Sequence, residues 1–223
     1  MNKTIKLKKK ATIHIEPTEP FSFEGTFFKP SHFPSRLVLY DGKRIYQAVE
    51  VGNDIFGIVV SDDSNNIGPK IKIDIYASTK PSKELKKAIE LEIIARYNLD
   101  GLIGDFIDEL KNDELLAGPI KRWGGMRPSI AYSLYGFLMV ATVLQNATVR
   151  RTVQMMDVLL EKFGTKLKFA GQEVYAIWKP EDMENVPEEE LRGLKIGYRA
   201  KNIKRISHSF AVKEISENEL RKI

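Results

Sequence analysis

From about Thr12 to Ala77 the chain sets apolar residues in short alternating or clustered runs: "TIHIE", "RLVLYD", "RIYQAVEV", "IFGIVVS" and "KIKIDIYAS". β-Branched and aromatic residues dominate them, and a period of two is that of strands with a buried face. Asp41–Gly42, Gly52–Asn53 and "DDSNNIGP" (Asp62 to Pro69) separate the runs as turns. Short strands on short turns predict an antiparallel sheet.

After "STKPS" the period lengthens. Ser82 is placed to cap a helix through "KELKKAIELEIIARYN", where Leu85, Ile89 and Ile93 recur at helical spacing. "LIGDFIDELKND" predicts a second helix. "YSLYGFLMVATVLQ" is apolar on nearly every side, as a helix in the middle of a bundle is. That run stops at Gln145–Asn146–Ala147–Thr148. A new helix follows, with Val149, Val153, Met156, Leu160 and Phe163 as its apolar stripe and Arg150, Gln154, Asp157 and Glu161 off it. Thr148 can cap its start and Gly164 can end it. Pro187 suits a first helical turn, and Glu188 to Glu190 suit the positive end of a helix dipole. A last helical segment runs through Ala200, Ile203, Ile206 and Phe210. The expected class is α+β: an N-terminal antiparallel β-sheet domain over residues 1–80, then an all-α helical bundle domain over 81–223. The boundary falls near Ser78–Ser82, and helix 82–97 is free to pack on the sheet.

The 223 residues fit one large domain or two smaller ones. With 43% hydrophobic and 29% charged residues, disorder is set aside for most of the chain. A net charge of +5 and a pI near 9.2 point toward a polyanionic partner without establishing one. The absence of cysteine excludes disulfides, thiolate-bound zinc, iron–sulfur clusters and a thiol nucleophile. His14, His32 and His208 show no metal-ligand spacing, so neither metal nor cofactor is expected. No apolar stretch reaches the ~18–20 residues of a membrane span, and the start, "MNKTIKLKKKATIHI", lacks the apolar centre of a signal peptide. The expectation is a soluble, cytoplasmic monomer with access to DNA and no membrane partner.

Two segments carry candidate chemistry. "RGLKIGYRAKNIKR", Arg192 to Arg205, holds six Lys/Arg and no Asp or Glu. Gly193 and Gly197 can make tight turns that admit a phosphate, and Tyr198 stands beside Arg199, an aromatic and a guanidinium able to stack on bases. The bland alternative is a solvated helix start with a chance run of basic residues. The other segment is the polar turn at Gln145–Thr148, followed by Arg150 and Arg151.

Together, "LQNATVRRTVQMMDVLLEKFG" and "LRGLKIGYRAKNIKRI" resemble the helix-hairpin-helix DNA glycosylase superfamily. "NLDGLIGDFIDELKNDELLAGPIKRWGGMRPS", with Gly125–Met126–Arg127–Pro128, resembles the stretch that precedes them there, and the strand-rich region resembles the N-terminal domain of its 8-oxoguanine and 3-methyladenine branches. "GYRA" at Gly197–Ala200 is closer to the 8-oxoguanine branch. The resemblance implies that Asn146 fills the gap left by an extruded base and contacts the orphaned cytosine. It implies that Arg151 and Arg199 read that cytosine, and that Tyr198 wedges into the stack beside it. Gln145, Lys201 and Lys204 join them as DNA-binding residues. Extruding a base costs a few kcal/mol of lost stacking and pairing. An amide, two guanidinium forks and a flat ring are suited to replacing it.

The implied function is a base-excision-repair glycosylase acting on double-stranded DNA with a damaged base, with or without lyase activity at abasic sites. The family's catalytic groups are a Gly-x-Gly hairpin, an attacking lysine and an aspartate. The resemblance assigns them to no position here, and "ENELRKI" is similar to the lead-in to that hairpin. Asp157 and Glu161, and equally Asp105, Asp108 and Glu109, are expected to be solvated charges. No catalytic residue is named, and the chain alone is expected to be inactive. A glycine contact of the 8-oxoguanine branch has no clear match in "FKPSHFPSRLVLYDGKR". Two alternatives stay open: a non-catalytic DNA-binding relative, and a member of the 3-methyladenine branch, whose apolar wedge stands where Asn146 is.

Overall fold

A computed structural model of the chain describes residues 3–28 and 35–222. The strands are β1 (Lys3–Lys6), β2 (Lys8–Ile15), β3 (Val38–Tyr40), β4 (Arg44–Val51), β5 (Asp54–Asp62), β6 (Ile71–Ala77), β7 (Thr165–Phe169) and β8 (Gln172–Ala176). The helices are α1 (Phe23–Phe27), α2 (Lys83–Tyr97), α3 (Gly104–Leu110), α4 (Ala117–Trp123), α5 (Leu134–Leu144), α6 (Val149–Phe163), α7 (Pro180–Glu184), α8 (Glu188–Gly193), α9 (Arg199–Ala211) and α10 (Glu217–Leu220). The class is mixed α+β, with the larger, antiparallel sheet N-terminal.

Five strands form that sheet in the order β2–β6–β5–β4–β3. The β4–β5 turn is the Gly52–Asn53 pair expected from sequence, with Val51 opposite Asp54 and Gly52 at φ 60°. A two-residue hairpin with glycine first requires that backbone. Strand alternation sends Ile45, Val49, Ile58, Val60, Ile71, Ile73 and Ile75 to one face, all fully buried. Tyr46, Ala48, Ile55, Val59 and Tyr76 pack on the other. The central strand is covered on both sides, which explains why "IFGIVV" is a continuous apolar run rather than an alternating one.

The cover over the second face corrects the expectation that residues 81–223 are all α. β7 and β8 form a hairpin there, and β1 joins it in parallel, Lys3 opposite Thr165 and Lys6 opposite Lys168. Leu7, Leu167, Phe169 and Val174 fill the layer between the two sheets. The turn Ala170–Gly171 has φ of 49° and 76°, positive at both positions as a primed turn needs. Such a small hairpin is marginal by itself. It exists because the outer face of the large sheet receives its apolar side chains. The N-terminal lysines likewise lie in β1 and β2.

The other face of the large sheet and the helices share one apolar core. Ile89, Ile93 and Tyr97 of α2, Tyr135, Met139 and Val143 of α5, Met155, Leu159 and Leu160 of α6, and Ala200 and Ile203 of α9 belong to the same cluster as the sheet isoleucines. Ser82 caps α2, accepting from the Leu85 N–H at 3.2 Å. Ser133 caps α5 and Thr148 caps α6 in the same way. The buried residues of α6 are Thr152, Met155, Met156, Leu159 and Leu160; Met156 and Leu160 of the expected stripe are among them and Phe163 packs on the core, whereas Val149 is 53% exposed. Thr152 can be buried because its hydroxyl donates to the Thr148 carbonyl at 3.0 Å. Val149 lies in the first turn, where the helix projects past the core.

Arg127 fastens the segment before α1 to the helical part. Its buried guanidinium donates to the carbonyls of Gly101, Thr18 and Pro20 and to the Thr18 hydroxyl, and its N–H donates to the Thr26 hydroxyl. Burial pulls its pKa below the ordinary guanidinium value. Gly125 abuts the Phe21–Ser22 backbone so closely that a Cβ would lie 2.5 Å from the Phe21 carbonyl carbon.

Two stability predictions follow from this packing. A Cβ at Gly57 would meet the Phe169 ring at 2.5 Å, so Gly57→Ala should cost about 1–3 kcal/mol by overpacking. Combining it with Phe169→Leu should cost less than the sum of the single changes, as judged by chemical denaturation. Thr148→Ala should cost about 1 kcal/mol through loss of the α6 cap, with an unchanged denaturant slope.

Candidate nucleic-acid interface

α5 leaves the core at its last turn. Thr142 and Val143 are buried, whereas Leu144, Gln145 and Asn146 are exposed. Gln145 breaks the helical backbone at φ −53°, ψ 127°, and Asn146 adopts left-handed φ 46°. Asparagine tolerates that region better than most side-chain-bearing residues. The Ala147 N–H closes the turn on the Leu144 carbonyl at 3.2 Å. The Gln-Asn-Ala-Thr sequence thus builds a tight link between two helices with Asn146 in solvent.

The second loop runs from the end of α8 into α9. Ile196 is fully buried and anchors it. Lys195 at φ 60° and Gly197 at φ 64° bend the backbone on either side, so that Tyr198 stands 47% exposed at the start of α9. Lys195 adopts this conformation without glycine's freedom.

The two loops lie against each other. The Tyr198 hydroxyl donates to the Gln145 carbonyl at 3.3 Å. Arg151, on the first turn of α6, reaches the Lys195 carbonyl through Nη2 at 2.6 Å and Gln154 Oε1 through Nη1 at 3.4 Å. Arg199 donates through Nε to the Val143 carbonyl at 3.0 Å, through Nη1 to the Ile196 carbonyl at 3.4 Å, and through Nη2 to the Gln145 carbonyl. Its guanidinium carbon lies 4.8 Å from the centroid of the Tyr198 ring.

The residues singled out from sequence therefore separate. Gln145, Asn146, Arg151 and Tyr198 meet at one exposed surface, and Lys201 is exposed on the first turn of α9. Arg199 departs from the expected exposed reader: it is 8% exposed and turned inward onto backbone carbonyls. Lys204 is also committed elsewhere, donating to the carbonyls of Met183 at 2.6 Å and Glu184 at 2.9 Å at the end of α7. Arg150 is exposed on the first turn of α6, and Lys195, not singled out from sequence, is exposed on the second loop. Their signal was present in the two basic runs, but residue type alone does not separate an exposed cation from a buried one.

Some of the carboxylates elsewhere have partners. Glu161 is exposed, as expected of a solvated charge, and pairs with Arg36 at 2.6 Å. Burial raises the pKa of neighbouring Asp157, opposed by the charge of Arg36. Asp108 pairs with Lys111 at 3.0 Å, while Asp105 and Glu109 are exposed. A cavity of about 490 Å³, lined by Glu50, Trp178, Lys179 and Asp182 among others, also takes in Lys162, Phe163 and Gly164 at the opposite end of α6 from Asn146. His14 lies 3.5 Å from Asp63 and His208 3.2 Å from Glu184, whereas His32 is outside the described residues. Among the described residues no group of three or more metal-ligating side chains converges, and no helix is long and apolar enough to cross a membrane.

No protein-family model matches the sequence, and no curated protein matches it. Solved structures do match. MBOgg1 in complex with a low-affinity DNA ligand superimposes with a TM-score of 0.68 at 18% identity, over 97% of this chain and 69% of that one. The 3-methyladenine DNA glycosylase of Archaeoglobus fulgidus gives 0.71 at 16%, over 87% and 66%. The apo 8-oxoguanine glycosylase/lyase of Clostridium acetobutylicum gives 0.65 at 16%, over 98% and 70%. The chain thus spans 66–70% of the length of these proteins. At such identities the likeness is one of fold, shared with these solved glycosylase structures.

Proposed function

We propose that the chain is the DNA-engaging part of a base-excision-repair glycosylase of the 8-oxoguanine type. The observation that carries this reading is that Tyr198 bonds to Gln145, the neighbour of Asn146, so that Asn146 and Tyr198, 52 residues apart in sequence, stand on adjoining exposed loops among cations. The glycosylase fold supports it.

The proposed engagement is with double-stranded DNA in which one base is extruded. Asn146, at the apex of a tight turn, enters the vacancy and offers donor and acceptor together. The exposed Tyr198 ring supplies a stacking surface for the opposite strand. Arg151 uses two of its groups on Lys195 and Gln154 and keeps further N–H donors for the orphaned cytosine. Arg150, Lys195 and Lys201 add positive charge for phosphates around the gap. Lys204 and Arg199 are left out of this contact set because both are occupied by backbone carbonyls. No residue of the chain is proposed to break the N-glycosidic bond.

Binding should weaken steeply with salt, as phosphate contacts dictate. Fluorescence anisotropy should show tighter binding to a duplex with an abasic analogue opposite cytosine than to the fully paired duplex. Tyr198→Ala should cost about 1–3 kcal/mol in that complex, and Asn146→Ala should erase most of the preference. Equal affinity of the wild type for both duplexes would remove the gap-filling role. Release of free 8-oxoguanine by this chain would show that it contains the catalytic groups.

A further inference from the structure

We infer that Arg199 is a positioning residue, a clasp that locks the Asn146 turn to the Tyr198 loop. The DNA readouts below rest on the proposed function; the clasp itself does not.

The last carbonyls of a helix have no partners within it and carry the negative end of its dipole. Arg199 donates to Val143, in the last turn of α5, and to Gln145, the residue that ends it. It also holds Ile196 in the loop leading to its own helix. One side chain thus grips both loops from within, and its stack on Tyr198 steadies the ring that the loop presents. Arg151 crosses the same seam in the opposite direction to the Lys195 carbonyl. Their surroundings differ. Arg151 is exposed and can add contacts without giving up its bond, whereas Arg199 is 8% exposed. Moving Arg199 away would withdraw its donors from the buried Val143 and Ile196 contacts at once, and stranded buried acceptors are costly, while the Gln145 carbonyl would keep the Tyr198 hydroxyl. A planar fork suits three carbonyls in different directions, and a lysine point charge does not.

Three measurements on the full chain test the clasp: amide hydrogen exchange over residues 144–148 and 194–199, the salt slope of duplex binding, and the coupling of Arg199 to Asn146. Arg199→Met should speed exchange at both loops about tenfold or more while the sheet strands keep their protection. It should weaken binding to the abasic duplex with an unchanged salt slope, because no phosphate contact is lost. Asn146→Ala, costly in the wild type, should change affinity less than about twofold in the Arg199→Met background. Arg199→Lys keeps the charge and serves if the methionine variant does not fold; it too should show fast loop exchange. The clasp is overturned if either variant leaves loop exchange at the wild-type rate. It is equally overturned if Arg199→Met reduces the salt slope by about 0.9, one phosphate's worth, or if Arg199→Lys restores wild-type binding. Should the wild type show no preference for the abasic duplex, the proposed function fails and the exchange rates alone decide on the clasp.

Discussion

The end of an α-helix leaves carbonyls that nothing within the helix can satisfy. In this protein that requirement falls at the C-terminus of α5, where the apolar core runs out. Val143 is fully buried there, while Gln145 and Asn146, two and three residues later, are in solvent. Arg199 reaches across from α9 to the Val143 and Gln145 carbonyls. Satisfying α5 therefore brings the start of α9 beside the start of α6, and with it Tyr198 beside Asn146. The exposed surface is a consequence of that buried closure.

Arg127 solves a similar problem at another seam. It gathers the Thr18, Pro20 and Gly101 carbonyls with one buried fork, tying the segment before α1 to the loop after α2. Among the described residues, neither arginine is paired with a buried carboxylate. Each charge is carried by carbonyl dipoles, which accept from a guanidinium in several directions at once. Arg127 Nε is buried without a partner among the described residues, and leaving the remaining donors unpaired as well would be expensive.

Between the seams, one continuous core runs from the inner face of the five-stranded sheet through α2, α5, α6 and α9. The sheet also carries a second layer on its outer face, closed by β1, β7 and β8. A strand covered on both sides needs apolar residues in sequence and room where rings cross it, as Gly57 gives Phe169. That layer joins the first strand to the second half of the chain, for β1 pairs with a hairpin more than 150 residues away.

The sequence by itself determined the elements whose signal is local. The five antiparallel strands are legible from alternating or clustered β-branched and aromatic residues between turns, Ser82 and Thr148 from capping chemistry, and the turn at Asn146 from an apolar run ending in polar residues. It also picked out the two basic segments that meet on the surface. The tertiary structure decided the rest, because burial depends on neighbours that local pattern does not contain. β7 and β8 required the outer face of a sheet laid down a hundred residues earlier. The buried face of α6 was set by its place against the core, which left Val149 outside. Arg151 and Arg199 are the same residue type in the same kind of basic run, yet one faces solvent and the other is enclosed. Only the position of α5's unsatisfied carbonyls distinguishes them.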